Sequence, residues 1–332
     1  MATQIQQLPG SPLPSVSVIL PVLNEERHLE SAVLSILSQD YRGTFEVILA
    51  IGPSRDQTQE IAEKLVASDS RVVIVQNPTG RTAAGLNLAL NKSNNPVVVR
   101  VDGHAQLPQN YISLVVEILN ETGAVNVGGV MAAVGKSRFE RAVAGAMRSP
   151  LGVGASRFHT GGVAGEVDTV YLGAFRRDAL LAIGGFDERF TRAQDWELNF
   201  RLRENGGMVY FDPRLQVIYR PRPNLRALAK QYFEYGKWRR VVSRRHPGTI
   251  NYRYLAPPVA LIGFTVSVIF GAALHSILFI PASIYLLFLA LASAKIASTL
   301  REAILLVLIL PTMHFSWGLG FLTSSKSLVP KD

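Results

Sequence analysis

The chain contains no cysteine among its 332 residues. This absence excludes a disulfide framework, a cysteine-ligated metal and thiol catalysis, and it agrees with a cytoplasmic location for the soluble part. Residues 1–15 lack basic side chains and an apolar core, so we expect a flexible tail rather than a signal peptide. Internal repeats and long low-complexity tracts are also missing from the sequence.

Glycine is absent from the turn that follows the first predicted strand. This turn reads Pro21-Val-Leu-Asn-Glu-Glu, whereas a dinucleotide's pyrophosphate needs glycines there for close backbone approach. No Walker motif occurs anywhere in the chain. The sequence therefore argues against an NAD-dependent enzyme and against a P-loop ATPase.

Strand and helix patterns alternate through the first hundred residues. The predicted strands cover 16–21, 45–50, 72–75 and 96–101. A first helix is predicted to start at Asn24, and two further helices are predicted at 59–67 and 82–92. Asn24 is a favoured N-cap residue, and the two acids after it suit a first helical turn. This βαβαβαβ order predicts a parallel sheet with right-handed crossovers and a nucleotide cleft at the carboxyl ends of the strands.

The most informative strand is rich in valine and ends abruptly in Asp102, Gly103 and His104. A carboxylate and an imidazole at one strand tip can approach the same divalent metal. We expect the missing side chain of Gly103 to leave room for a substrate's phosphates. The alternative is a polar turn that caps a helix near Pro108.

Several motifs, taken in order, carry a resemblance to a known family. They lie at residues 16–26, 52–58, 96–102, 167–177, 184–189, 194–201 and 231–239. Together they resemble the family 2 glycosyltransferases and, downstream, the membrane-bound branch of that family. The resemblance covers about residues 15–255. It implies a GT-A α/β fold, with a mixed sheet, helices on both faces and transmembrane helices after it.

The resemblance also implies roles for two acidic sites. It places the family's metal motif on Asp102 and His104, which would hold Mn²⁺ or Mg²⁺, and the histidine favours manganese. It places the general base of an inverting transfer on Asp195. Glu197 and Asp187 are alternative bases, and Asp195 and Glu197 could simply favour a helix N-terminus. Gln194 stands where the family usually has glutamate.

The predicted donor and acceptor contacts follow from the same motifs. Nucleotide-sugar contacts are expected at Pro21, Asn24, Glu25, Asp56, Arg81, Arg100 and Asp102. Acceptor contacts are expected at Gly185, Asp187, Trp196, Gln231, Trp238 and Arg239. Ile51 and Gly52 stand where the family normally carries base-reading acids, so the nucleobase stays open. Arg100 could instead pair with a neighbouring acid.

Positive charge is concentrated in one segment. Between Arg220 and Arg253 there are ten basic residues against Glu234 alone, which accounts for the whole net charge of +9. Aromatic residues interleave with these cations, and apolar sequence follows directly. We therefore expect residues 220–254 to lie on anionic membrane lipids rather than on nucleic acid.

Three apolar stretches follow, at residues 255–274, 276–294 and 303–323. Each is close to the ~20 residues that span a bilayer. The cations before the first stretch and at Lys295 and Arg301 predict a cytoplasmic catalytic head, with the loop 295–302 on the same side. We expect a multi-pass protein of the cell membrane, although a re-entrant first hairpin is an alternative.

The expected organisation is a tail (1–15), a catalytic domain (16–219), an interfacial segment (220–254), three transmembrane helices (255–323) and a second tail (324–332). The expected reaction is transfer of a sugar from a nucleotide donor to a polyprenyl-diphosphate-linked saccharide in cell-surface polysaccharide synthesis, with polysaccharide-assembly proteins as further partners. Two alternatives stay open: a synthase that places the sugar directly on polyprenyl phosphate, and a catalytically silent scaffold.

Overall fold

A computed structural model describes residues 13–328, and the chain divides into two compact units. The first unit contains the chain up to Ala132 together with Gly161–Tyr219, and the second contains Ala133–Thr160 and the chain from Arg220 onward. Residues 133–160, which the sequence analysis placed inside the catalytic domain, therefore belong to the second unit. The two expected tails lie outside the described residues except for 13–15 and 324–328.

Strand and helix alternate strictly from Val16 to Met147, and the order is mixed after that. The strands are β1 (Val16–Val22), β2 (Phe45–Ile51), β3 (Val72–Gln76), β4 (Val97–Arg100), β5 (Asn126–Ala133), β6 (Gly165–Glu166), β7 (Tyr171–Arg176) and β8 (Val209–Tyr219). The helices are α1 (Leu29–Leu37), α2 (Thr58–Ser68), α3 (Thr82–Lys92), α4 (Tyr111–Thr122), α5 (Arg138–Met147), α6 (Pro150–Val153), α7 (Arg157–Thr160), α8 (Arg177–Ala182), α9 (Gln194–Glu204), α10 (Leu225–Arg245), α11 (Tyr252–Ala273), α12 (Ile280–Ile296) and α13 (Leu300–Thr323).

The sheet has eight strands in the order β3-β2-β1-β4-β7-β5-β8-β6. The first four are parallel, which confirms the sheet predicted from the βαβ repeats. β7 pairs antiparallel with both β4 and β5, and β6 pairs antiparallel with β8. The result is the mixed sheet that the family resemblance implied.

Hydrophobic cores lie on both faces of this sheet because successive strand side chains point in opposite directions. In β1, Val18 and Leu20 join the core that contains residues of α1, α2 and α4, whereas Ile19 joins the core that contains residues of α3, α8 and α9. All three side chains are fully buried. Buried aliphatic side chains on both faces explain why these strands read as continuous apolar runs.

The second unit consists of helices. α5 begins with a capping box in which the Ser137 hydroxyl accepts from the Glu140 backbone, and the Glu140 carboxylate accepts from the Ser137 backbone. Three segments are long and apolar enough to cross a membrane: Tyr252–Ala273, Ser276–Ile296 and Leu300–Thr323. These segments overlap the three predicted stretches, and they indicate that the protein associates with a membrane.

Gly129 in β5 offers a test of the sheet order. A Cβ atom at this position would overlap the backbone carbonyl of Leu215 in β8, which cannot move without disturbing the ladder. We expect Gly129→Ala to cost about 1–3 kcal/mol of stability, as overpacking does elsewhere. Thermal unfolding of the detergent-solubilised protein measures the effect. Val66→Ala on the exposed side of α2 is the control, and equal melting temperatures for the two variants would contradict this packing.

Candidate active site

The carboxyl ends of β1, β2 and β4 open at one edge of the parallel half of the sheet. The first two ends are tied together where the Gly52 N–H donates to the Val22 carbonyl at 2.8 Å. A Cβ at Gly52 would lie only 3.1 Å from the Gly80 Cα, so this position favours glycine. The polar loops that follow these strands are therefore held close together.

Asn24 links the loops after β1 and β2. Its backbone N–H donates to Ser54 Oγ at 3.0 Å, and its Oδ1 accepts from the Arg55 N–H at 2.8 Å. Its φ is +55°, a left-handed conformation that asparagine tolerates better than most residues. The prediction that Asn24 caps the first helix is wrong, because α1 begins only at Leu29 and the Asn24 side chain serves the neighbouring loop.

The same two loops share further hydrogen bonds. Thr58 Oγ1 accepts from the Glu25 N–H at 2.8 Å, and Asp56 accepts from the Glu26 N–H at 3.2 Å. The hydrogen bond from the Thr58 hydroxyl, helped by the backbone N–H groups of Glu26 and Thr58, lowers the pKa of Asp56 below its usual value. The polar residues of the Gly-x-Ser-x-Asp-x-Thr motif, Ser54, Asp56 and Thr58, thus all bind residues 24–26.

The turn after β4 is built against Glu25. His104 Nδ1 lies 2.8 Å from Glu25 Oε1, which suits an imidazole N–H donating to the carboxylate. A Cβ at Gly103 would stand 3.2 Å from Glu25 Cγ. The Glu25 side chain therefore occupies the volume beside Gly103, and the expectation that Gly103 leaves space for phosphates stays a prediction.

Arg100 joins the two acidic sites that the sequence analysis treated separately. Its guanidinium is only 4% exposed, and Nη2 lies 3.2 Å from Asp102 Oδ1. Nη1 forms an ion pair with Asp195 Oδ1 from the start of α9. The predicted metal ligand and the predicted base thus contact the same cation, although they are 93 positions apart in the sequence. Arg100 does pair with a neighbouring acid, the second of the two roles considered for it.

Asp195 occupies the first turn of α9, where the helix dipole favours a carboxylate. Ala193, the residue before the helix, has a φ of +58°, and this left-handed conformation sets the sharp entry into the helix. The Asp195 side chain is 30% exposed, so it can be reached from solvent. It lies two residues from Glu197, yet the two carboxylates have different surroundings.

Glu197 is buried and serves the structure of the site. Its two carboxylate oxygens each lie 2.7 Å from a nitrogen of Arg201. Arg201 also donates to the carbonyls of Ile183 and Gly185 at 2.7 and 2.9 Å. The pair therefore fixes the Gly184-Gly185 turn, and Glu197 is poorly placed as an alternative base.

Asp187, the other alternative base, is held by Arg189. The Arg189 backbone N–H, Nε and Nη2 donate to its carboxylate at 2.8–3.2 Å. Burial alone would raise its pKa, but these bonds hold the pKa of Asp187 below its usual value. The neighbouring turn is fixed by Asn87, whose side chain donates to the Phe186 carbonyl and accepts from its N–H, both at 2.8 Å. Both bonds were missed by sequence reasoning, since no motif marks Asn87.

The remaining predicted contacts are dispersed. Pro21 pairs with Ala50 in the sheet, and Arg81 precedes α3. Trp196 stacks on Phe200, with 6.3 Å between the ring centres. The other predicted acceptor residues lie on α10 in the second unit and are largely buried: Gln231, Trp238 and Arg239. Arg239 stacks its guanidinium 3.7 Å from the centre of the Tyr254 ring. Their roles as substrate contacts stay predictions.

The side chains at the strand ends offer ligand atoms that fit a divalent cation, and a substrate would complete the coordination of that cation. Within residues 13–328, no group of three or more His, Asp or Glu side chains forms a self-sufficient metal site. Asp102 and His104 offer a carboxylate and an imidazole, both suited to Mn²⁺. With Glu25 holding the proton at Nδ1, the imidazole's basic nitrogen is Nε2, the tautomer arrangement seen in carboxylate–histidine–metal sites.

The fold defines the GT-A class of nucleotide-sugar transferases. A solved structure with this architecture, the mannosyltransferase PcManGT from Pyrobaculum calidifontis in complex with GDP-Man and Mn²⁺, superposes with a TM-score of 0.60. It is 19% identical in sequence, and the match covers 95% of this chain and 88% of that one. At this level of identity the likeness establishes the fold.

Sequence comparison supplies the family. A family model described as Glycosyl transferase family 2 matches residues 17–184. The succinoglycan biosynthesis protein ExoA of Rhizobium meliloti is 33% identical over 250 residues, which cover 74% of this chain and 76% of ExoA. This chain belongs to glycosyl transferase family 2 and is a glycosyltransferase, as the motif order predicted.

A second relative is more distant. It is the dolichyl N-acetyl-alpha-D-glucosaminyl phosphate 3-beta-D-2,3-diacetamido-2,3-dideoxy-beta-D-glucuronosyltransferase of Methanococcus voltae. It is 23% identical over 257 residues, covering 73% of this chain and 77% of the relative. The similarity to both relatives therefore extends well beyond the 168 residues of the family model.

The Glu197–Arg201 pair leads to a prediction about stability. In Glu197→Gln the charge that balances Arg201 is lost while the shape is kept, and breaking a buried pair costs about 3 kcal/mol or more. We expect a lowered melting temperature in detergent. Glu204→Gln, at the exposed end of the same helix, is the matched control. A Glu197→Gln protein as stable as Glu204→Gln would refute the structural role of the pair.

Proposed function

We propose that this glycosyltransferase inverts the anomeric centre of a nucleotide-sugar donor and transfers the sugar to a hydroxyl of a lipid-linked saccharide at the cytoplasmic face of the membrane. The observation that carries the proposal is the contact of Arg100 with both Asp102 and Asp195. It brings a carboxylate suited to a divalent cation, which would bind the donor's diphosphate, next to a solvent-accessible carboxylate suited to the acceptor.

Asp195 acts as the general base. An inverting transfer needs one carboxylate that takes the acceptor's hydroxyl proton while the oxygen attacks the anomeric carbon. The bond from that carbon to the diphosphate breaks on the opposite side, and its electron pair leaves with the nucleoside diphosphate. Arg100 orients the Asp195 carboxylate, and the buried Glu197 is too fully paired to replace it.

Charge at the strand ends supports a divalent cation bound by Asp102 and His104. Glu25, Asp102 and Asp195 carry three negative charges against the single positive charge of Arg100. A diphosphate would be repelled by this excess. A divalent ion would offset the charge of the diphosphate and stabilise the departing nucleoside diphosphate.

Glu25 positions His104 rather than reading the nucleotide. Its carboxylate faces Nδ1, and its methylene carbons fill the space beside Gly103. Asn24 and Asp56 are also predicted to contact the nucleotide-sugar. Each accepts a hydrogen bond from a backbone N–H of the other residue's loop, and these bonds fix the position of Glu25. We propose that these three residues support the donor site chiefly by building it.

The lipid-linked acceptor is supported by the relatives and by the charge of the second unit. The Methanococcus voltae relative is named for a dolichyl-linked sugar phosphate, and ExoA for succinoglycan biosynthesis. Cations on α10 and three helices apolar enough to cross a membrane suit an enzyme that works on a lipid beside anionic headgroups. We propose a cell-membrane location with the sheet domain in the cytoplasm.

One assay decides between the two acceptor classes. The solubilised enzyme is incubated with radiolabelled UDP-, GDP- and dTDP-sugars, Mn²⁺ or Mg²⁺, and a membrane lipid extract. Mild acid then cleaves the lipid-linked product. We expect a labelled oligosaccharide, because the sugar is added to a saccharide. Release of the labelled monosaccharide would instead indicate a polyprenyl-phosphate sugar synthase.

Asp195→Asn tests the base. Loss of general-base catalysis should lower the transfer rate about 10²–10⁴-fold, while binding of the donor changes little. Rates come from nucleoside diphosphate release, and donor affinity comes from calorimetry. Glu121→Gln, an exposed carboxylate at the end of α4, is the control. Wild-type transfer by Asp195→Asn would eliminate this residue as the base.

Glu25→Gln tests the metal site. Changing the carboxylate that orients the imidazole should weaken Mn²⁺ binding about 10–100-fold, as such changes do at other metal sites. The free Mn²⁺ signal in electron paramagnetic resonance reports binding without any turnover, with UDP or GDP present. Glu26→Gln is the matched control, since its side-chain oxygen can still accept the Gln57 N–H. Equal affinities in the two variants would contradict the role given to Glu25.

A further inference from the structure

α11 and α12 form an antiparallel hairpin. Three pairs of residues, each farther from the turn than the last, face each other. A Cβ at Gly271 would lie 2.8 Å from the Phe279 ring, and Ser267 Oγ accepts from the Ala282 N–H at 3.0 Å. Phe264 packs edge-on against Tyr285, with 5.9 Å between the ring centres. The end of the hairpin away from the turn holds the start of α11 and the end of α12, and we call it the base. The turn at residues 274–276 is the tip.

α13 starts at the base, because only three residues separate it from the end of α12. Its middle reaches the middle of the hairpin: His314 Nδ1 lies 2.9 Å from the Tyr285 hydroxyl, and Phe315 packs against Phe264 at 5.3 Å. A third spanning helix would continue from here toward the tip. Its next contacts on α11 would then be Ser267 and Gly271.

The contacts run in the opposite direction. After Phe315, Trp317 stacks on Tyr254 at 6.4 Å, and a Cβ at Gly318 would lie 2.8 Å from the Pro257 carbonyl oxygen. Both partners belong to the first two turns of α11. Because α11 is 22 residues long, its start is about 33 Å from its end, so residues 317 and 318 of α13 lie near the start of α11 and far from the tip.

Charged segments bind both ends of α13. At its start, Glu302 lies 3.7 Å from Arg141 of α5. Beyond its end, the Arg244 guanidinium of α10 donates to the Ser324 and Ser325 carbonyls at 2.7 and 2.9 Å. α10 carries eight charged residues: Arg226, Lys230, Glu234, Lys237, Arg239, Arg240, Arg244 and Arg245. A helix so charged does not cross a bilayer, so both ends of α13 lie on one side of the hydrocarbon core.

Besides Arg301 at its start and Thr323 at its end, the exposed side chains of α13 are apolar and form one stripe. The apolar stripe consists of Leu300, Ile304, Val307, Leu308, Leu319 and Leu322. At 3.6 residues per turn these positions fall within about 120° of the helix circumference. The opposite face, which includes Ile309, Met313 and Gly320, is buried against the rest of the second unit. A helix with one apolar exposed face suits the plane of a membrane interface.

We propose that α13 does not cross the membrane. It lies across the base of the α11–α12 hairpin, with its apolar stripe in the acyl layer of a single leaflet. The carboxyl terminus stays on the side of α5 and α10. Only the hairpin then penetrates deeply. This proposal departs from the expectation of three spanning helices, and it does not rest on the proposed transfer chemistry.

The absence of native cysteine makes the test direct. Single-cysteine variants Ser327→Cys, after α13, and Ser70→Cys, in the sheet domain, are labelled with a membrane-impermeant maleimide in spheroplasts and in inverted membrane vesicles. Both positions are exposed. We expect both cysteines to label in inverted vesicles and both to lose labelling in spheroplasts.

Opposite labelling of the two variants would overturn the proposal, because it would place the carboxyl terminus across the membrane from the sheet domain. Lys326→Cys repeats the measurement at a neighbouring exposed position. If Ser327→Cys and Lys326→Cys label in detergent but not in inverted vesicles, the proposal is likewise contradicted. Turnover of nucleotide-sugar is measured separately, so a catalytic failure leaves this result interpretable.

Discussion

The active site depends on one buried cation. Arg100 is almost fully enclosed at the end of β4, and a guanidinium in that position is costly unless carboxylates surround it. Asp102 and Asp195 supply them from opposite halves of the sequence. Replacing either carboxylate leaves Arg100 less well balanced, so the structural role of these acids and the role proposed for them in sugar transfer are not separable by simple truncation. The isosteric amides are the informative substitutions.

A second constraint is the interlocking of the loops after β1 and β2. Asn24, Ser54 and Asp56 satisfy backbone donors on the opposite loop, and the left-handed backbone at Asn24 is retained because these bonds fix it. These interlocked loops place the Glu25 side chain beside Gly103, where the Glu25 carboxylate contacts His104. Hydrogen bonds thus tie the loops after β1, β2 and β4 to one another.

The membrane-associated unit follows a different principle. Its helices expose apolar side chains, so the hydrophobic effect alone does not determine how they pack. Close backbone contacts and polar bonds at helix ends do so instead. Gly236 and Gly320 let α10 and α13 approach closely, and Arg244 caps the carbonyls beyond α13. These contacts hold α13 against α10.

The sequence by itself determined the alternating elements, the family, the two acidic positions and the three apolar segments, because periodicity, strand-end acids and long uncharged runs are local signals. Tertiary structure alone decided that Arg100 joins Asp102 to Asp195, that Asn24 serves a loop rather than a helix, and that residues 133–160 pack with the carboxyl-terminal helices. It also decided the course of α13. Each of these depends on a contact between distant residues, and composition or spacing carries no record of which distant partner a side chain will meet.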